Sequence, residues 1–218
     1  MNYLGHLILS GNSSEITFGN FIADSLKGKT YLKYPKKIQK GVILHRKIDE
    51  LTDTNVHYLN GKRRFYKNFP KMGGVINDIL YDHLLWRFEK KTRAIHLECK
   101  IDHLYKILDD NFEKMPDPVK YMYQYMRRDD WLRNYQYEEG IKKALNGIGK
   151  RINYSNNLEL SFEIAKSSMK SYDKEFELFY HDIKEKTSIF VNWWLKVKIW
   201  RLFPLLIYST GSKIIETY

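Results

Sequence analysis

GVILHRKIDELTDTNVHYLNGKRRFYKNFPKMGGVINDILYDHLLWR, residues 41–87, carries two apolar stripes at helical spacing. Val42, Ile43, Ile48 and Leu51 mark the first, and Val75, Ile76, Ile79, Leu80, Leu84 and Leu85 the second, recurring near the period of an α-helix. The same stretches hold His45, Asp49 and Asp53 at i, i+4, i+8, and Asp78 and Asp82 at i, i+4. Such spacing lines each set along one face of its helix. Asp is a mediocre helix former, so this density of acids within helices asks for a reason. Each residue alone reads as a solvated acid or a satisfied interior histidine. Two such faces turned toward each other make a cage for a hard divalent cation, which needs several donors converging from different directions.

Helical patterning continues outward on both sides. Asn2–Leu9 opens the chain, and the polar turn SGNSSE offers Ser13 or Ser14 as the cap of a helix from about Glu15 to Leu26, with Asp24 on its last turn and Gly28 as terminator. After a loop around Pro35 come the two helices above, joined by a basic aromatic stretch that ends near Pro70. Residues 92–113 read as a further helix, and Pro116 and Pro118 stop one helix and start the next. Aromatic-rich segments at 121–126 and 131–135 and amphipathic segments at 140–152 and 158–183 follow. No sustained alternation argues for a sheet, so the chain is predicted to be all-α.

At 218 residues, with 43% hydrophobic and 29% charged residues, the chain suits one globular domain, expected over 1–187. The stretch Ile189–Tyr208 is dense in Trp and aliphatics but is interrupted by Lys196, Lys198, Arg201 and Pro204, which argues against a spanning helix. Residues 188–218 are expected to be a separate aromatic and basic tail that packs on the body or on a second copy in a homo-oligomer. An interfacial membrane helix is the alternative. The one cysteine, Cys99, excludes an intramolecular disulfide and a multi-cysteine zinc site. With no basic leader before a long apolar run, the cytoplasm is the expected compartment. A net charge of +11 favours anionic partners, yet the charge is diffuse and forms no recognised nucleic-acid motif.

Four segments, MNYLGHLILS at the start, GNFIADSLKG, GVILHRKIDELTD and GGVINDILYDHLL, together resemble the acyl carrier protein phosphodiesterase family, a divergent helical branch of the HD-type metal-dependent phosphohydrolases. MRRDDWLRNYQYEEGIKKALNGIGKRI is similar to that family's C-terminal half. The resemblance implies removal of the 4′-phosphopantetheine arm from holo acyl carrier protein with help from Mn²⁺ or Mg²⁺. It also implies an acidic protein substrate, which a basic chain suits. Carried over residue by residue, it implies Asp24, His45, Asp49, Asp78 and Asp82 as metal-facing groups, with His83 as general acid and Arg46 as phosphate clamp. His6 also falls at a motif position, where capping or core hydrogen bonding explains it equally well, and Asp53 is a fourth acid on the His45 face or part of a helix end. The chain departs from the pattern at LLWRFEKK, where Trp86 comes early, and Asp82 precedes His83, the reverse of the usual HD order.

Two other readings compete. One is a helical phosphohydrolase of nucleotides or small phosphodiesters with the same metal set. The other is a basic module for RNA or anionic membrane, in which Lys62, Arg63, Arg64, Lys67, Arg127 and Arg128 meet phosphates beside Phe65, Tyr66 and Trp131.

Overall fold

The computed structural model describes residues 2–154 and 157–202, the side chains of its last helix only as far as 191. Helices α1 (Tyr3–Leu9), α2 (Ser14–Ile22), α3 (Lys36–Thr54), α4 (Val56–Arg63), α5 (Gly73–Thr92) and α6 (Leu97–Asp110) make up its first half. Then come α7 (Asp117–Arg128), α8 (Trp131–Asn134), α9 (Glu138–Arg151), α10 (Ser161–Ser167) and α11 (Met169–Leu202). No strand occurs among the described residues, so the all-α expectation holds.

The centre is α5. Ile76, Ile79, Leu80, Tyr81, Leu84, Leu85 and Phe88 bury several of its faces. It packs against α1, α4, α9, α10 and α11. Tyr81 meets Phe176 and Phe179 of α11 edge to face. Two bidentate ion pairs fasten α11: Arg87 of α5 to Asp173 at 2.7 Å for both bonds, and Arg64, at the end of α4, to Glu175 at 2.6 and 2.7 Å.

Helices α2 and α3 form a second unit, joined backbone to backbone. A Cβ built on Gly19 would lie 2.1 Å from the Ile38 carbonyl oxygen, and one on Gly41 2.2 Å from that of Ile16. Only glycine lets the two axes come so near, and this closeness sets α2 side chains against α3.

The boundaries differ from expectation in instructive places. Ser13 caps α2 as expected, accepting from the Ile16 N–H, but α2 stops at Ile22 and a tight 3₁₀ turn, Ala23–Ser25, carries Asp24. The basic stretch before Pro70 contains a helix, α4, because Asn55 caps it through bonds from His57 and Tyr58 N–H. The helix expected over 92–113 begins only at Leu97: Arg93 and His96 turn left-handed, and the buried Glu89 carboxylate accepts from the N–H groups of Ile95, His96 and Leu97. Helix α11 runs through position 188 without a break, and residues 203–218, with most of the expected tail and its proposed contacts, lie outside the described residues. No described helix is long and apolar enough to cross a membrane.

Candidate metal centre

The α2–α3 contact places Asn20 and Asp24 opposite His45 and Asp49, and α1 brings His6 into the same space. The His6 and His45 rings stack with centroids 4.0 Å apart and planes 22° from parallel. Both rings are buried, with side chains 6% and 8% exposed, whereas the Asp49 and Asp24 side chains are 46% and 75% exposed. The imidazoles therefore form the floor of the site and the carboxylates its open side.

The hydrogen-bond pattern around Asn20 fixes the ring protons. Its Nδ2 donates to the His6 carbonyl at 2.9 Å and to Ser10 Oγ at 2.8 Å, which orients the amide. Its Oδ1, which can only accept, faces His6 Nδ1 at 3.2 Å and His45 Nδ1 at 2.9 Å. Both Nδ1 atoms must then carry hydrogen. In the neutral rings each Nε2 is left with a bare lone pair, and these point at carboxylates: His6 Nε2 to Asp49 at 3.2 Å, His45 Nε2 to Asp24 at 2.9 Å and to Asp49 at 3.3 Å. Lone pairs aimed at carboxylate oxygens repel unless something positive lies between them.

A proton on each ring would serve, but two stacked imidazoliums in a buried site repel each other, and burial already pushes the His6 pKa down. A divalent cation serves better. Donor atoms of His6, His45 and Asp49 all lie within 4.8 Å of one another, and this group can hold a metal ion. An imidazole whose Nδ1–H is held by an acceptor while Nε2 faces inward is the usual arrangement of a ligating histidine. The carboxylates are in the ligating state too. Positive charge at the His45 Nε2 side holds the Asp24 carboxyl below the usual range. Partial burial would raise Asp49, but positive charge at the His6 and His45 Nε2 side outweighs it and holds it low.

Of the residues singled out in the sequence, Asp24, His45 and Asp49 meet here. His6 joins them, and Asn20 had no place in the expected set. The signal for Asn20 was its position in GNFIAD, four residues before Asp24, on α2 just ahead of the 3₁₀ turn that carries Asp24.

The other expected residues have different partners. Asp82 is fully buried, and its two oxygens accept from the Leu4 and Gly5 N–H groups at 2.9 and 3.0 Å, so it caps α1 from α5 and fixes the helix that carries His6. Burial pushes its pKa up to about 7 against the pull of those two donors. Asp78 accepts from the Tyr58 hydroxyl at 2.7 Å. His83 donates from Nδ1 to the Tyr135 carbonyl at 2.8 Å and packs edge-on against Phe162, and burial lowers its pKa. Arg46 donates from Nη2 to the Leu26 and Gly28 carbonyls at 3.1 and 2.8 Å, with its guanidinium over the Tyr31 ring, so it clamps the chain beside Asp24.

The nucleic-acid or membrane reading loses much of its basic set. Arg64, Arg127 and Arg128 pair with Glu175, Asp109 and Asp129, and Phe65 is wholly buried.

Fold and site thus define an all-α protein with a stacked histidine pair and Asp49 able to hold a metal ion, and Asp24 beside them. The chain belongs to the acyl carrier protein phosphodiesterase family, whose model matches residues 1–183. It is 26% identical over 189 residues to the acyl carrier protein phosphodiesterase of Photorhabdus laumondii, covering 86% of this chain and 96% of that one. It is 24% identical over 181 residues to that of an Enterobacter species, covering 83% and 94%. With that of Yersinia pestis it shares 26% identity over 152 residues, or 69% and 79%. No solved structure matches the chain.

Proposed function

We propose that this protein is a divalent-metal-dependent phosphodiesterase that removes the 4′-phosphopantetheine arm from holo acyl carrier protein and leaves the carrier's serine free. The observation that carries the metal part is the pair of Nε2 lone pairs aimed at two carboxylates with both Nδ1 protons held by Asn20. Family membership carries the substrate part.

His6, His45 and Asp49 would hold the metal, with Asp24 beside them, and this mixture of imidazole and carboxylate donors suits Mn²⁺ better than Mg²⁺. When bound, the cation supplies positive charge against the phosphoryl oxygens and lowers the pKa of a water.

The chain's own groups do the rest. Asn20 holds both rings in the ligating tautomer, so no proton must move before the metal arrives. Asp82 holds the α1 N-terminus and hence the His6 backbone. Asp24, the most exposed of the set, offers a carboxylate that would orient a water at the open side by accepting a hydrogen bond from it. Arg46 is assigned to holding the chain beside Asp24, Asp78 to its bond from Tyr58 and His83 to its bond to the Tyr135 carbonyl. The exposed, unpaired Cys99 suits a cytoplasmic site of action.

The test is to strip the protein of metal, incubate it with holo acyl carrier protein with and without Mn²⁺, and weigh the intact carrier. Loss of the phosphopantetheine mass only with metal supports the proposal. An unchanged carrier in the presence of bound Mn²⁺ refutes the substrate assignment.

A further inference from the structure

Between Asp24 and α3 runs KGKTYLKYPKKIQK, residues 27–40, with six lysines and no acid. Lys27, Lys29, Lys33, Lys36 and Lys37 are exposed, and of these five only Lys37 has an ion-pair partner among the described residues, Glu15. The segment is nonetheless held in shape. Arg46 grips its base through the Leu26 and Gly28 carbonyls and the Tyr31 ring. Gln39, itself buried, donates to the Leu32 and Tyr34 carbonyls at 3.1 and 2.7 Å. At the crest Leu32 stands 51% exposed on the 3₁₀ turn Thr30–Lys33, with Lys33 next to it and Lys29 just before the turn. A loop built this way presents fixed positive charge around an apolar tip at little ordering cost on binding.

We propose that residues 27–37 are the docking surface for the acidic carrier protein. The inference rests on the function proposed above and adds the place of recognition. The scissile phosphodiester is attached directly to a serine of the carrier, so only a few bonds separate the reacting phosphorus from the carrier's backbone. The carrier must therefore touch the rim of the site itself. Two sides of that rim differ in charge. Beyond Asp49 on α3 comes the exposed Asp53, which repels an acidic protein, and a Glu50 already paired with Lys47, whereas beyond Asp24 comes the lysine segment. Lys27 is three residues from Asp24, and Arg46, next to His45, binds both sides of Lys27 through the Leu26 and Gly28 carbonyls. Approach from this side brings opposite charges together and steers encounter.

The experiment compares full-length wild type, Lys27→Glu/Lys29→Glu and the control Lys170→Glu/Lys174→Glu, which reverses two exposed lysines on a helix without site residues. The readouts are KM for holo carrier, and binding of apo carrier by fluorescence anisotropy, at low and high salt. The Lys27/Lys29 variant is expected to raise KM and weaken apo-carrier binding by about tenfold or more at low salt, with a flatter salt dependence. The control should match wild type, and Mn²⁺ affinity and helical content should be the same in all three. Equal effects in both double variants, or none in the first, overturn the docking surface. If no chain removes the arm, the functional proposal fails separately. Apo-carrier binding then decides this one: its selective loss in the Lys27/Lys29 variant supports docking, and its retention refutes it.

Discussion

Replacing Asn20 by alanine tests how the centre is built. Asn20 is fully buried and makes four contacts: two from ring Nδ1 atoms, one to the His6 carbonyl and one to Ser10. Truncation strands two ring N–H groups in the interior, while the His6 carbonyl keeps the Ser10 hydroxyl as a donor. At about 1–3 kcal/mol for each stranded group, partly relieved by water entering the space, a net loss of roughly 3 kcal/mol in stability is expected. Metal binding should weaken more specifically. Loss of an outer partner that orients a ligating histidine costs about 10–100-fold in affinity, and here one amide orients two rings, so the upper end applies. The assay is Mn²⁺ titration by calorimetry on the folded variant, with circular dichroism to establish that it is folded. Imidazole ¹⁵N shifts of the metal-free wild type provide the direct readout, because they report which nitrogen bears hydrogen. Both rings should be protonated at Nδ1. A neutral ring protonated at Nε2, or a folded Asn20→Ala chain that binds Mn²⁺ as tightly as wild type, would refute the reasoning.

Other perturbations reach the same centre from different distances. Asp82→Ala removes the cap on α1 and should lower stability by about 2–4 kcal/mol while weakening Mn²⁺ binding through His6, as read by thermal denaturation and titration. Gly41→Ala forces a Cβ onto the Ile16 carbonyl, and the axes must part; a cost of roughly 1–3 kcal/mol and weaker metal binding are expected, while Gly147→Ala, where nothing lies within 4 Å, should be neutral or slightly stabilising. Metal affinity should be full above pH 6.5 and fall below it, because a proton displaces metal from Nε2. Burial holds His6 below the ordinary imidazole value of 6.5, so protons compete for it later on acidification than for a free histidine. His45→Ala removes one of the two imidazoles and should abolish metal-dependent activity with helical content nearly unchanged.

The sequence made the long helices legible because apolar spacing reports burial directly, and α3 and α5 lie where Val42 to Leu51 and Val75 to Leu85 put them. It also brought Asp24, His45 and Asp49 forward, through motif context and an i, i+4 step. The same step placed Asp78 and Asp82 in the expected set. Periodicity fixes which residues share a face, but not what that face meets: α3 turns His45 and Asp49 toward α2 and α1, whereas both Asp82 oxygens accept from the backbone at the start of α1. Asn20 stayed unseen because a buried amide that orients two rings looks, in sequence, like any helix-surface asparagine. His6 was visible but undecided, since a local reading offers it a cap or a core bond with equal ease. What brings it beside His45 is the placement of α1, whose N-terminus Asp82 holds from α5, a tertiary fact that hydropathy patterning does not carry.

The most direct test of the account is a crystal of the protein soaked in Mn²⁺, with diffraction measured at the manganese absorption edge. One anomalous peak in bonding contact with the Nε2 atoms of both His6 and His45 and with an Asp49 oxygen is the expected result. Manganese bound away from both rings, or at Asp78 and Asp82 with the imidazoles still facing bare carboxylates, would contradict it.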